Sequence, residues 1–183
     1  MGPRREFIWS SLAPLFALID RGATLQAARS LEPLLDGCTS AAVAEAWARI
    51  QARKDTDPEG AITAARSLVE SSCKYVLDRL DVEYADGEDL PKLYGRAAKA
   101  MKLGPQDHHE QVFKQILSGC VSVVNGLAAL RNTLSDAHGK GKRAPKPTPR
   151  HAVLAVNLAG TIATFLLATF EERYSKRPGA QPD

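Results

Sequence analysis

Three cysteines in 183 residues, Cys38, Cys73 and Cys120, are widely spaced and odd in number, so neither a disulfide framework nor a zinc site is indicated. The setting this implies is a reducing cytoplasm. Aromatic residues are scarce, at 6% of the chain, while alanine and leucine abound. No window sustains the period-two alternation or the evenly spaced turns of a β-sandwich, which leaves an all-α fold. The first residues lack the apolar core and small-residue cleavage site of a signal peptide, so export is not expected. A phosphate-binding loop is missing as well, because Gly139 and Gly141 do not belong to a Gly-x-x-x-x-Gly-Lys-Ser/Thr pattern after a strand. None of these residues calls for a metal or another cofactor.

What is present is apolar spacing at the helical period, in a chain whose 44% hydrophobic content marks it as globular. Residues 1–54 read as a helical N-terminal extension of unassigned role, with helices expected near 7–19, 24–35 and 40–53. The main domain is expected over 57–175, followed by a frayed tail at 176–183. Asp57-Pro58-Glu59 announces a helix to about Leu80 by cap, first-turn proline and dipole-complementing acid, with Ile62, Ala65, Val69, Val76 and Leu80 inward. On another face Arg66, Glu70, Lys74 and Asp78 alternate in sign at steps of four. That pattern fits a solvated ion-pair ladder worth a few tenths of a kcal/mol per pair, or a cleft edge supported by Glu70 and Lys74. A short helix from about Leu90 to Met101 closes at Gly104-Pro105. His108 and His109 diverge on a helix and lack a spaced third ligand, so they read as exposed polar residues.

The most strongly patterned stretch runs from Asp107 to His138 without proline. Phe113, Ile116, Cys120, Val123, Leu127, Leu130, Leu134 and Ala137 fall at alternating steps of three and four, which predicts a central helix packed along its whole length. Leu117, Val121, Val124 and Ala128 form a second stripe beside the first. The helix ends on Arg131, Asn132, Asp136 and His138, with Gly139 as its left-handed stop. Arg131 and His138 are seven residues apart, so a regular helix puts them on one face, roughly 10 Å apart along the axis. They cannot touch, but they could flank a phosphodiester or meet the same pair from a second copy.

Net charge is only +3, yet it is unevenly placed. Between Arg131 and Arg150 six cations, Arg131, Lys140, Lys142, Arg143, Lys146 and Arg150, face the single acid Asp136. Such a run can hold a polyanion, or it can be a solvated loop. The last helix, about 149–175, contains Ala152 to Phe170 without a formal charge, nearly the length of a membrane span. Asn157, Thr161, Thr164 and Thr169 interrupt it, so a buried helix at a core or dimer seam is the expectation, and no membrane partner is.

Arg131-Asn132 followed by His138 resembles the arginine and histidine motif of HEPN domains. Four ordered segments sharpen this: 65–74 with Arg66, Glu70 and Lys74; Leu127 to Asn132; Asp136 to Gly139; and Arg150-His151-Ala152 with Ala155 to Ala159. Together they resemble the abortive-infection C-terminal domain over roughly residues 57–175. The resemblance implies a compact helical bundle, a homodimer, and a metal-independent endoribonuclease of an antiviral or toxin system, with Arg131 and His138 from both copies facing one RNA strand. In that role His138 suits a general base near neutral pH, Arg131 a fork of donors for the phosphate oxygens, and Asn132 an orienting amide. Asp136 would organise the helix end, and the basic loop with Arg150 and His151 would contact RNA, transfer RNA being one candidate. An antitoxin or phage trigger is a further expected partner. Two other readings stay open: a non-catalytic dimeric helical module that binds RNA or a protein, and a membrane-acting effector using the last helix. For Arg131 and His138 themselves the plain alternative is helix-end packing.

Overall fold

The computed structural model describes Leu31, Leu34, residues 40–136 and residues 147–175, with residues 130–136 and Ser175 as backbone only. Among the described residues there are five α-helices and no strand: α1 (Ala41–Arg53), α2 (Pro58–Arg79), α3 (Leu90–Ala100), α4 (Gln111–Asp136) and α5 (Pro149–Phe170). The expected helices near 7–19 and 24–35 lie outside the described residues except for Leu31 and Leu34, which are helical and pack in or against the core.

The centre of the bundle is α2. It packs most extensively on α5, then on α1 and α3, and least on α4. Its start is built as the sequence suggests, with the Asp57 carboxylate accepting the Gly60 N–H at 2.9 Å and Pro58 in the first turn. A Cβ at position 60 would meet that carboxylate, so a larger residue there would have to displace the cap. Ile62, Ala65, Val69 and Val76 are buried as expected, alongside Leu68, Cys73 and Leu77. The turn at residues 54–57, where the domain boundary was expected, joins two helices of one core, since Val43, Ala46, Trp47 and Ile50 of α1 are buried in it.

Two helices end on the same device. In α2 the Val82 N–H reaches the Leu77 carbonyl and the Asp81 N–H that of Asp78; in α3 Leu103 reaches Ala98 and Lys102 reaches Lys99. These are Schellman closures, and both place a non-glycine residue in the left-handed region, Asp81 and Lys102 each at φ 53°. Glycine usually fills that position; in α3 Lys102 takes it, and the helix ends at Ala100, one residue from the expected Met101 and ahead of Gly104-Pro105. A π-turn at residues 171–175 extends α5 and brings Arg173 Nη1 to the Met101 carbonyl at 2.7 Å. Phe170 meets Tyr75 edge-on at 5.8 Å and stacks on Tyr174, tying the ends of α2, α3 and α5 together.

Two expectations about the long helices change. The apolar run of α5 is a core helix: 56% of its membrane-length window is buried, chiefly against α2. The helix expected to be central and packed throughout, α4, is neither. Only 17% of its apolar window is buried. Leu117, Val124 and Leu127 are inward, while Phe113 and Ile116 of the first expected stripe and Val121 of the second are exposed. Both helices are long and apolar enough to cross a membrane by length and composition, a test that core helices also pass.

Candidate functional site

Arg131, Asn132 and Asp136 lie in the last two turns of α4. Register places them on different stripes of that helix. Leu117, Val124 and Arg131 follow one another at steps of seven, and the first two are buried against the bundle. Asn132 follows Ser118 and Asn125, and Asp136 follows Ser122 and Ala129, all four of which are exposed. His138, Lys140, Lys142, Arg143 and Lys146 lie outside the described residues. The structure therefore brings the arginine and amide to one helix end but does not show the histidine beside them.

Across the basic loop, α5 opens with Arg150 and His151, both exposed. The His151 Nδ1 accepts the Thr148 N–H at 3.2 Å and lies 3.1 Å from the Thr148 hydroxyl. As acceptor it carries no proton on Nδ1, which leaves Nε2–H turned to other partners. His151 thus serves the helix start, the plainer of its two expected roles, while its exposed ring keeps one edge for a ligand.

Glu70 and Lys74 are joined, but not as rungs of a solvated ladder. Glu70 holds Arg66 Nη1 at 2.7 Å with one oxygen and Lys74 Nζ at 3.0 Å with the other. The three side chains retain only 14% (Arg66), 23% (Glu70) and 35% (Lys74) of their exposure. The fourth expected rung has left: the Asp78 carboxylate accepts the Tyr84 hydroxyl at 2.9 Å instead. Burial, then Asp78 itself, pushes the Tyr84 phenol up. Arg66 is the residue that sequence reading undervalued. It heads the pattern, its Nε is buried without a partner among the described residues, and the cluster it shares carries one net positive charge. Asn157 Oδ1 and Thr164 Oγ1 on α5 are likewise buried and unpartnered. The only signal for them was a polar residue breaking an apolar helix.

Neither described cysteine, Cys73 or Cys120, offers a ready nucleophile. Burial, and secondarily the Glu70 charge, pushes the Cys73 thiol far up, and burial raises Cys120, against a partly opposing hydrogen bond from Tyr94. Burial and then the two thiols raise the Tyr94 phenol in turn. Among the described residues no group of three or more His, Cys, Asp or Glu could hold a metal. His108 is half-buried, not exposed as expected, with its ring 6.3 Å from that of Phe113. A cleft of about 420 Å³ lined by Asp78, Asp81, Val82, Glu83 and Tyr84 carries three carboxylates, which suits no polyanion.

An all-helical bundle, with an arginine-amide pair in the last turns of a long helix and a basic run in the sequence before the next, is the arrangement that the HEPN resemblance implies. The comparison with known families makes this specific. Residues 40–170 match the Abi_C family, a HEPN-like domain, and the chain belongs to that family. Membership marks it as an abortive-infection, defence-related module, and the match takes in α1 as well as the segment expected from residue 57. No curated protein and no solved structure matches the chain.

Proposed function

We propose that this chain is a metal-independent endoribonuclease of an antiviral defence or toxin system, working as a homodimer in the cytoplasm. The observation that carries the reading is the position of Arg131 and Asn132: the end of α4, within the family match, ahead of a loop whose only ionisable residues besides His138 are cations.

His138 takes the proton of a ribose 2′-hydroxyl, and the freed oxygen attacks the adjacent phosphorus. Negative charge grows on the non-bridging oxygens, where the Arg131 guanidinium offers paired donors and Asn132 an orienting amide. The bond from phosphorus to the 5′-oxygen breaks, that oxygen takes up a proton, and a 2′,3′-cyclic phosphate remains. Lys140, Lys142, Arg143, Lys146, Arg150 and His151 hold the strand. Glu70 and Lys74 support the site through the Arg66 cluster, and Asp136 organises the helix end.

The test is cleavage of total and transfer RNA by the purified protein in EDTA, beside His138→Ala and Arg131→Ala, with product ends identified by mass spectrometry. Cyclic-phosphate ends made only by the unsubstituted protein support the reading. Equal cleavage by both variants would place the chemistry elsewhere. A folded protein that binds RNA with a steep salt dependence, yet never cuts it, would instead be a binding module.

A further inference from the structure

The uncharged helix α5 is buried on one side only. Leu154, Leu158, Thr161 and Phe165 follow one another along its outer side at steps of four, three and four. Leu154 is 58% and Phe165 37% exposed, Thr161 is exposed and Leu158 half-buried, while Ala155, Ile162 and Leu166 on the inner side are buried. A largely apolar stripe roughly 16 Å long is therefore open to solvent. The same chain holds a segment of matching length and character. From Phe7 to Ile19 there is no formal charge, and Trp9, Leu12, Phe16 and Ile19 fall at steps of three, four and three. These residues lie outside the described ones and ahead of the family match, which begins at residue 40.

We infer that residues 7–19 of the same chain lie antiparallel along this outer stripe of α5 and close the core there. Reach, charge and shape select this occupant. Leu31 is helical and fully buried in the core, so the stretch from Ile19 to Leu31 tethers the segment within about 40 Å of a fixed point on the bundle. A tether of that length gives a local concentration of roughly millimolar, which a separate partner would have to exceed. Before the segment Arg4 and Arg5 outnumber Glu6, while α5 runs into Glu171 and Glu172, and the Arg173 that follows is drawn to the Met101 carbonyl. Antiparallel alignment brings these opposite charges together, at the helix end that also carries the negative pole of its dipole. Between those ends two uncharged stretches face each other, so no charge is buried without a partner. The stripe is narrow and broken by Thr161, which suits a helix laid along it and not a lipid surface. The docked segment turns the remaining face of a membrane-length helix into interior, and gives the fold a layer that the family match does not include.

Trp9 and Trp47 are the only tryptophans, so Trp47→Phe in the full chain leaves Trp9 as the reporter. Its emission is expected at short wavelength and shielded from acrylamide. Leu154→Glu, at a position already exposed, should move it to longer wavelength and raise quenching severalfold at unchanged helicity. Quenching that is the same with and without this change overturns the docking. Disulfide cross-linking in a Cys38→Ser, Cys120→Ser background keeps Trp47, so it decides the matter even if Trp47→Phe does not fold. Ile19→Cys with Leu154→Cys, and Trp9→Cys with Phe165→Cys, are expected to link within one chain, read by mass spectrometry on a mixture of unlabelled and isotope-labelled protein. No link in folded protein overturns the inference. So do links only between chains, which give the stripe to a second copy, and links only in the reversed pairings of Ile19 with Phe165 and Trp9 with Leu154. Binding to phosphatidylglycerol vesicles that Leu154→Glu abolishes would give the stripe to lipid and overturn it as well.

Discussion

Replacing Glu70 by glutamine keeps the shape of the side chain and removes its charge, so its cost measures what the Arg66–Glu70–Lys74 chain contributes. A solvated ladder would lose about 0.5 kcal/mol or less. The observed cluster differs because Arg66 keeps 14% of its exposure and Glu70 23%. Two unit charges about 4 Å apart attract by roughly 4 kcal/mol at an effective dielectric constant of 20, and partial desolvation of both takes back much of that. Removing only the acid leaves a largely buried guanidinium and a half-covered ammonium without their anion, for an expected loss of about 1.5–3 kcal/mol. The Arg66 pair, shorter and better covered than the Lys74 pair, should dominate. Urea denaturation of Glu70→Gln, Arg66→Met, Lys74→Met and the two double variants gives both coupling energies. A coupling of about 1–2 kcal/mol for Arg66–Glu70 and half of that or less for Lys74–Glu70 is expected. Equal couplings below about 0.5 kcal/mol would refute the argument from burial and restore the solvated ladder.

Alkali should destabilise the bundle. Cys73 and Tyr94 are acids whose folded pKa lies above the unfolded 9.0 and 10.0, so the native state keeps protons that the unfolded chain releases. Their contribution is complete below pH 9 and falls as pH rises, by about 1.4 kcal/mol per unit for each group, measurable as a falling urea midpoint above pH 9 that Cys73→Ala makes shallower. Lys102→Gly and Asp81→Gly should each raise stability by about 0.5–1 kcal/mol in thermal melts, because the left-handed φ of 53° costs a residue with a side chain. Leu68→Ala, at a fully buried site on the central helix, should cost about 2–5 kcal/mol in the same urea assay.

Where helix-forming signals were local, the chain was legible. The cap at Asp57, the proline at position 58 and the inward residues of α2 follow from spacing alone, and so does the all-α class. The ends of α2 and α3 were legible to within a residue, near Leu80 and Met101, but not the closures themselves, since Asp81 and Lys102 occupy positions that the rules reserve for glycine. Burial of the charged face of α2 was not legible, because the i to i+4 alternation of Arg66, Glu70 and Lys74 is the same whether solvent or a neighbouring helix lies over it. Only tertiary packing distinguishes the two, and it changes the expected energy several-fold.

The rank of α2 and α4 went wrong for a related reason. A stripe at steps of three and four says that a helix packs, not whether its partner is in the same chain. In α4 two such stripes lie side by side: Leu117, Val124 and Leu127 face the bundle, and Val112, Ile116 and Val123 flank it. Arg131 continues the first stripe, one residue beyond Leu130 in the second. The same step of seven that leads from Leu117 to Val124 and Arg131 leads on to His138 in the sequence. Spacing alone therefore shows where a helix can pack, and the neighbouring helices decide which of two adjacent stripes is covered.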